Sequence, residues 1–143
     1  MKKKNFELIE HTADLGIRVQ GSTLEELFSN SASALFSLMV GYEPKRKIEE
    51  KIILEGEDLE ELLATWLNEL ISMFFAYKFL PAQYNIKITH DEPQYKVLEG
   101  TLMGEEFDPY ENTISREVKA ATYHNLKVEK INKKWQTEII FDV

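Results

Sequence analysis

The stretch GSTLEELFSNSASALFSLMVG, residues 21–41, predicts an amphipathic helix that follows a run with strand-like alternation. Apolar residues recur along it at the spacing of one helix face: Leu24, Leu27, Phe28, Leu35, Leu38 and Met39. Ser22 or Thr23 can open the helix, because each is followed three residues later by a glutamate, as in a capping box. Gly41 suits its end. The change of period indicates a fold that combines strands with helices.

A second helix is predicted after Asp58, which can cap it, and runs through Trp66 and Phe74 towards Pro81. It is apolar on most of its circumference, so we expect it to lie between other elements. Residues 59–80 are also long enough to raise the question of a membrane span. Charged and polar residues interrupt this run and favour a soluble core helix: Glu60, Glu61, Asn68, Glu69 and Lys78.

Strands are predicted on both sides of each helix. Alternating patterns occur around HTADLG at residues 11–16, in residues 48–54, in YNIKITHD and YKVLEGTL at 84–91 and 95–102, and twice in residues 116–143. In the last strand, Trp135, Thr137, Ile139 and Phe141 share one parity and Asp142 has the other. The sequence therefore predicts an α+β fold, a mixed and mostly antiparallel sheet with two long helices packed on it, in a single domain over residues 1–143.

Composition excludes several classes of function. The 143 residues contain no cysteine, which removes thiol catalysis and thiolate metal sites and favours an intracellular setting. Twenty-five acidic against 17 basic residues give a net charge of -8, which disfavours direct binding to nucleic acid. The basic start MKKKNF is followed by polar residues, so we expect no signal peptide.

Asp14 and Asp142 are the first candidates for a functional site. Each has a simpler interpretation: Asp14 can hydrogen-bond within its turn, and Asp142 can be a solvated residue near a chain end. If the first and last strands meet, the two acids and the terminal carboxylate of Val143 form a cluster that needs a cation. Oxygen ligands alone select hard ions such as calcium or magnesium.

Lys119 is notable because the small residues Ala120 and Ala121 follow it and leave room for something to approach the backbone. It is either a solvated surface lysine or, near an acidic metal cluster, a charge partner or phosphate-facing donor. His11 and His124 have no metal-ligand spacing around them, so we favour structural hydrogen bonding for both.

Three stretches together resemble one family: HTADLGI at 11–17, REVKAATYHNLKV at 116–128 and IIFDV at 139–143. In this order and at these distances from the termini they resemble archease, over essentially the whole chain. The resemblance implies an α+β fold and a cytoplasmic accessory protein of the RtcB-type tRNA-splicing RNA ligase. Such proteins promote guanylylation of the ligase and its multiple turnover and have no ligase chemistry of their own.

The resemblance also implies a metal site on Asp14, Asp142 and Val143, with calcium ranked ahead of magnesium and manganese, and a role in activation for Lys119. Asn125 stands where the family often has glycine, and asparagine tolerates the left-handed backbone that such a turn requires. The partner expected is the RNA ligase, without stable direct contact to nucleic acid or membrane.

Two other classes of function remain open from the residues. A chaperone-like interaction module is compatible with the acidic composition and predicts many partners and no dependence on metal. A metal-dependent hydrolase using the aspartates predicts turnover of a phosphoester without any ligase. We rank the hydrolase last, because the sequence offers few converging acid–base groups.

Overall fold

The computed structural model describes residues 6–10, 14–91 and 93–143. These residues form the following elements in chain order: β1 Phe6–Glu10, β2 Leu15–Gly21, α1 Leu24–Val40, β3 Ile48–Gly56, α2 Leu59–Tyr77, β4 Phe79–Thr89, β5 Lys96–Glu106, β6 Ala120–Ala121, β7 Val128–Ile131 and β8 Lys134–Asp142. The predicted α+β class with two long helices is confirmed.

The described strands form two sheets in which every pairing is antiparallel. The larger sheet has the order β1-β2-β8-β6, and β7 also pairs with β8. Strand β8 has β2 along one side. On its other side, β7 pairs with residues 134–137 and β6 pairs with residues 141–142. The smaller sheet has the order β3-β5-β4. The sequence predicted one sheet, because alternation identifies strands but not their partners.

The start of α1 resolves the choice between two capping boxes. The Thr23 hydroxyl accepts a hydrogen bond from the Glu26 amide at 3.0 Å, and the Glu26 carboxylate accepts one from the Ser22 amide at 3.0 Å. Two amides that the helix leaves without partners are therefore satisfied. The helix ends at Gly41, whose φ of 69° is left-handed, as predicted.

The predicted cap of α2 is confirmed, since Asp58 accepts a hydrogen bond from the Glu61 amide at 2.7 Å. The helix stops at Tyr77, earlier than the predicted approach to Pro81. Lys78 adopts a left-handed backbone with φ 60°, and its amide bonds back to the last turn of the helix. Pro81 instead lies within β4.

Helix α2 contacts α1 and strands of both sheets, while Phe75 and Tyr77 near its end are exposed. It packs against α1, against β3, β4 and β5 of the smaller sheet and against β6 of the larger one. Trp66 is fully buried, and its indole N–H donates to the Phe28 carbonyl of α1 at 2.9 Å. The position of α2 between other elements explains why it is apolar on most faces. Neither described helix has the length and hydropathy needed to cross a bilayer.

The last third of the chain contains a β7–β8 hairpin, with Asn132 and Lys133 in the left-handed conformations of its tight turn. The predicted parity of β8 is confirmed, because Thr137, Ile139 and Phe141 are buried and Asp142 is exposed. The segment before β7 contributes only the two residues of β6, shorter than the strand predicted there. Lys119 lies immediately before β6 and is exposed.

Candidate functional site

The strand that follows Asp14 pairs with the last strand in the larger sheet. Leu15 pairs with Phe141 at the end of the β2–β8 ladder, and Asp14 and Asp142 each adjoin that pair in sequence. Opposed residues of an antiparallel pair have Cα atoms about 4.5–5.5 Å apart, so the two aspartates lie in one neighbourhood. Both aspartates are exposed. The condition that the sequence left open, the approach of the first and last strands, is therefore met.

A third segment reaches the same end of the sheet. Ala120 pairs with Asp142, and the Lys119 amide donates to the Asp142 carbonyl at 2.8 Å. Val143 follows Asp142 directly and is 42% exposed. Strand pairing thus gathers the four predicted residues, Asp14, Lys119, Asp142 and Val143, into one exposed edge that we call the terminal edge.

A layer of buried residues lies on the inner side of the terminal edge. Phe141 is fully buried, and its partners Leu15 and Ala121 are 4% and 5% exposed. Because successive side chains of a strand alternate between faces, Asp142 points away from this core. Asp14 directly precedes Leu15 and is exposed. One apolar layer across three strands therefore lies beneath the strand end that carries Asp142.

Helix α2 clamps the segment that carries Lys119. The Asn68 side chain makes two hydrogen bonds to Ala121, accepting from its amide at 2.8 Å and donating to its carbonyl at 3.0 Å. Such a pair satisfies both backbone groups of one strand residue. Asn68 therefore fixes β6 against α2 on the side away from β8. Sequence reasoning noted Asn68 only as a polar interruption, although an amide within an apolar helix is itself a signal of a buried hydrogen-bonding partner.

Two further contacts tie the loop after β6 to the start of α2. The Val128 amide donates to the Glu60 carboxylate at 2.8 Å, and the Tyr123 hydroxyl donates to Asp58 at 3.2 Å. Desolvation of the hydroxyl and then the charge of Asp58 raise the pKa of Tyr123. The sequence indicated Asp58 only as a helix cap and Glu60 only as a charged interruption of the apolar run, because their distant partners leave no local pattern.

Charges are paired on the neighbouring outer surface of the larger sheet. Arg18 bonds the carboxylates of Glu7 at 3.1 Å and Glu138 at 3.4 Å. The hydrogen bond that Arg18 donates to Glu138 is the largest of the effects that raise the pKa of Arg18. Within the part of the chain that the structure describes, neither Asp14 nor Asp142 forms such an ion pair. The terminal edge thus presents carboxylates without a basic partner among the described side chains.

The donor chemistry of the terminal edge suits a hard cation, since the predicted ligands are all carboxylate oxygens. No cluster of three or more histidine, aspartate or glutamate side chains suited to a metal ion occurs among residues 6–10, 14–91 and 93–143. The predicted set of metal ligands contains three groups only when the Val143 carboxylate is counted. The metal site therefore stays a prediction. His11 lies outside the described residues, and His124 is exposed in the turn before β7.

Comparisons with known proteins agree with this architecture. The profile of the archease protein family matches residues 6–143. Protein archease of Pyrococcus furiosus is 39% identical over 142 residues, covering 98% of this chain and 99% of that protein. Protein archease of Sulfurisphaera tokodaii is 38% identical over 143 residues, with 98% and 99% covered.

Solved structures show the same fold. Protein 1598 of Methanobacterium thermoautotrophicum superposes with a TM-score of 0.83 at 30% identity, covering 99% of this chain and 100% of that one. An archease of Thermotoga maritima, described as a possible chaperone, superposes with a TM-score of 0.60 at 26% identity, with 100% and 98% covered. With matches of this length to both sequences and structures, the chain belongs to the archease family.

Proposed function

We propose that this protein is a cytoplasmic accessory factor of the RtcB-type tRNA-splicing RNA ligase. It promotes guanylylation of the ligase and its multiple turnover and performs no ligation itself. Membership of the archease family supports this role, and the observation that carries the site is the convergence of Asp14, Lys119 and Asp142 on the terminal edge. An exposed group of functional side chains on rigid strands suits docking to a partner better than enclosing a substrate.

The proposed site holds one divalent cation on Asp14, Asp142 and Val143, with calcium preferred over magnesium or manganese. A cation held there would supply positive charge opposite the phosphates of the ligase-bound nucleotide. The chain's own residues set the geometry: Phe141 anchors the strand end, and the Lys119 amide fixes the Asp142 carbonyl. The Lys119 ammonium group is then available to a phosphate or to an acid of the ligase.

Guanylylation of the cognate ligase tests the role, with this protein present at less than one equivalent. Intact protein is expected to raise the rate, and Asp142→Asn or removal of Val143 is expected to abolish the increase. Glu138→Gln is the matched control, because Glu138 lies on the same strand and also carries an exposed carboxylate. Wild-type stimulation by Asp142→Asn at limiting protein would refute the site.

Calorimetric titration with calcium gives an independent readout of the cation site. Asp14→Asn and Asp142→Asn should each weaken binding, since each removes one anionic ligand, whereas Glu138→Gln should leave it unchanged. Equal calcium affinity in wild type and both aspartate variants would show that the cation is not held at the terminal edge.

A chaperone-like interaction module is the second candidate, favoured by the description of the Thermotoga maritima relative as a possible chaperone. It predicts suppression of aggregation of an unrelated unfolded protein, unaffected by chelator or by Asp142→Asn. Failure to stimulate the cognate ligase together with this suppression would favour the second candidate. Turnover of a phosphoester by the protein alone would instead indicate the hydrolase class.

A further inference from the structure

Strand β3 forms an open edge of the smaller sheet. Its nine residues pair with β5 on one side without a register shift, and none of the described strands pairs with its other side. Residues 48–51, 53 and 55 are exposed, and Ile53 is 71% exposed. A long unpaired edge of this kind is a template for a further strand.

The hydrogen bonds of the smaller sheet show which backbone groups of β3 face outward. The Ile88 amide of β4 donates to the Glu25 carboxylate at 2.9 Å, so it points away from β5. Because hydrogen-bonded and non-bonded pairs alternate along antiparallel strands, Leu98, which pairs with Ile88, turns its backbone groups towards Leu54 of β3. The N–H and C=O groups of Ile53 and of every second residue from it therefore face the open edge.

The side chains of β3 divide into an apolar inner set and a charged outer set. Ile52 and Leu54 are partly buried and pack against the core. Lys51, Ile53 and Glu55 lie on the opposite face and are exposed. Neither charged residue of the outer set forms an ion pair within the part of the chain that the structure describes. A lysine on an edge strand opposes pairing unless the added strand brings an acid to it.

A second copy of β3 meets this requirement. We infer that the chain forms a dimer in which two β3 strands pair antiparallel around a two-fold axis at Ile53, which joins the three strands of each smaller sheet into one sheet of six. Lys51 then lies opposite Glu55 of the second copy on both sides of the axis, and Ile52 lies opposite the second copy's Leu54. Unlike charges and apolar side chains opposite each other both stabilise a strand pair.

Other registers of the same pairing set like charges opposite each other. An axis at Ile52 opposes Glu49 and Glu55. An axis at Lys51 or at Glu50 opposes that residue to its own copy, at the centre of the interface. An axis between two residues would pair an inner-face side chain with an outer-face one, so that one copy would expose its apolar set. The charge pattern of β3 therefore selects the axis at Ile53.

This interface is independent of the proposed role in ligase activation. Strand β3 belongs to the smaller sheet, whereas Asp142 and the neighbours of the terminal edge belong to the larger one. The two-fold axis makes the contact self-complementary, so that it closes at two copies.

Sedimentation velocity of the full chain over a range of concentrations tests the dimer. Wild type is expected to show a monomer–dimer equilibrium. Lys51→Glu and Glu55→Lys should each raise the dissociation constant at least about tenfold, because both ion pairs become pairs of like charge. Lys87→Glu is the matched control, since it makes the same change on an exposed residue of β4 in the same sheet, and it should leave the constant unchanged.

Mixing the two charge variants tests the register. In an equimolar mixture of Lys51→Glu and Glu55→Lys, each chain meets opposite charge at both positions of the other, so dimers should form again. Both positions are exposed, so both variants are expected to fold. A wild type that stays monomeric at every concentration, a dimer that neither variant weakens, or a mixture that regains no dimer would each overturn the inference.

A cysteine at the axis gives an independent readout, because the chain has no cysteine of its own. Opposed Cα atoms of a hydrogen-bonded pair lie about 5.5 Å apart, within the range that a disulfide spans. Ile53→Cys should therefore form a covalent dimer on mild oxidation, much faster than Asn85→Cys at an exposed position of β4. Equal rates for the two variants would show that β3 does not pair with its own copy.

Discussion

The two sheets use the same antiparallel pairing but differ in how far apart along the chain their strands lie. In the smaller sheet, β4 and β5 are consecutive and form a hairpin, and β3 adds to the free edge of β5. In the larger sheet, Leu15 pairs with Phe141, almost at the other end of the chain. Closing a long loop costs entropy that local pairing avoids. Formation of the terminal edge therefore closes a loop that contains nearly the whole chain.

This difference also separates the terminal edge from a cavity of about 260 Å³ at the end of α1. The cavity is lined by residues of α1, of the segment after it and of β4. The terminal edge depends on three segments that no short-range contact brings together. Substitutions that loosen the larger sheet should therefore affect the terminal edge before the cavity.

Truncation of Phe141 is expected to have the largest effect on stability. Phe141→Ala removes a fully buried ring that packs beneath the terminal edge and should lower the free energy of unfolding by about 3–5 kcal/mol, measured by urea denaturation. Leu102→Ala is the matched variant in the smaller sheet, also fully buried, with an expected loss of about 2–5 kcal/mol.

Hydrogen exchange separates these two variants. Exchange of the Lys119 amide, which bonds Asp142, should accelerate in Phe141→Ala beyond what global unfolding explains. In Leu102→Ala, the exchange rate of the Lys119 amide should follow global stability alone. Selective acceleration in Leu102→Ala, or in neither variant, would contradict the claim that Phe141 supports the terminal edge directly.

Loss of the Asn68 clamp should have the next largest effect. Asn68→Ala leaves the Ala121 amide and carbonyl without their side-chain partner and should cost about 2 kcal/mol in the same denaturation experiment. Asn68→Asp keeps an acceptor for the amide but loses the donor to the carbonyl, so its loss should be smaller. Asn85→Ala, at an exposed position of β4, is the control and should change stability by less than about 0.5 kcal/mol.

The local structure was largely predictable from the sequence. Capping residues, apolar spacing and alternation act within a few residues, so they identified both helices, the strands β4 and β5 and the parity of β8. The grouping of strands into two sheets was not predictable, since it depends on which edges meet in space. The same holds for Asn68, whose partner Ala121 is distant in sequence. Asp14, Lys119, Asp142 and Val143 were candidates from the residues alone, but only the family resemblance favoured a functional interpretation over the simpler ones.

Removal of the two helix caps should have smaller and unequal effects. Thr23→Ala and Asp58→Ala each remove a cap worth about 1 kcal/mol. Asp58→Ala should cost more, because Asp58 also accepts the Tyr123 hydroxyl across to the loop after β6. Double-mutant cycles check this. Tyr123→Phe should couple to Asp58→Ala and not to Thr23→Ala, and equal coupling to both would rule out the bridging role.

The smallest effect is expected for Arg18, although it contacts two carboxylates on the outer surface of the larger sheet. Its side chain is 38% exposed, so water and salt screen its attraction to Glu7 and Glu138. Arg18→Gln should lower Tm by about 1 °C or less, and even this shift should vanish in 1 M NaCl. A loss of several degrees that persisted in high salt would mean that Arg18 supports the larger sheet through packing of its stem. The outer surface would then help to hold β2 beside β8, a role that the structure otherwise assigns to the buried layer around Phe141.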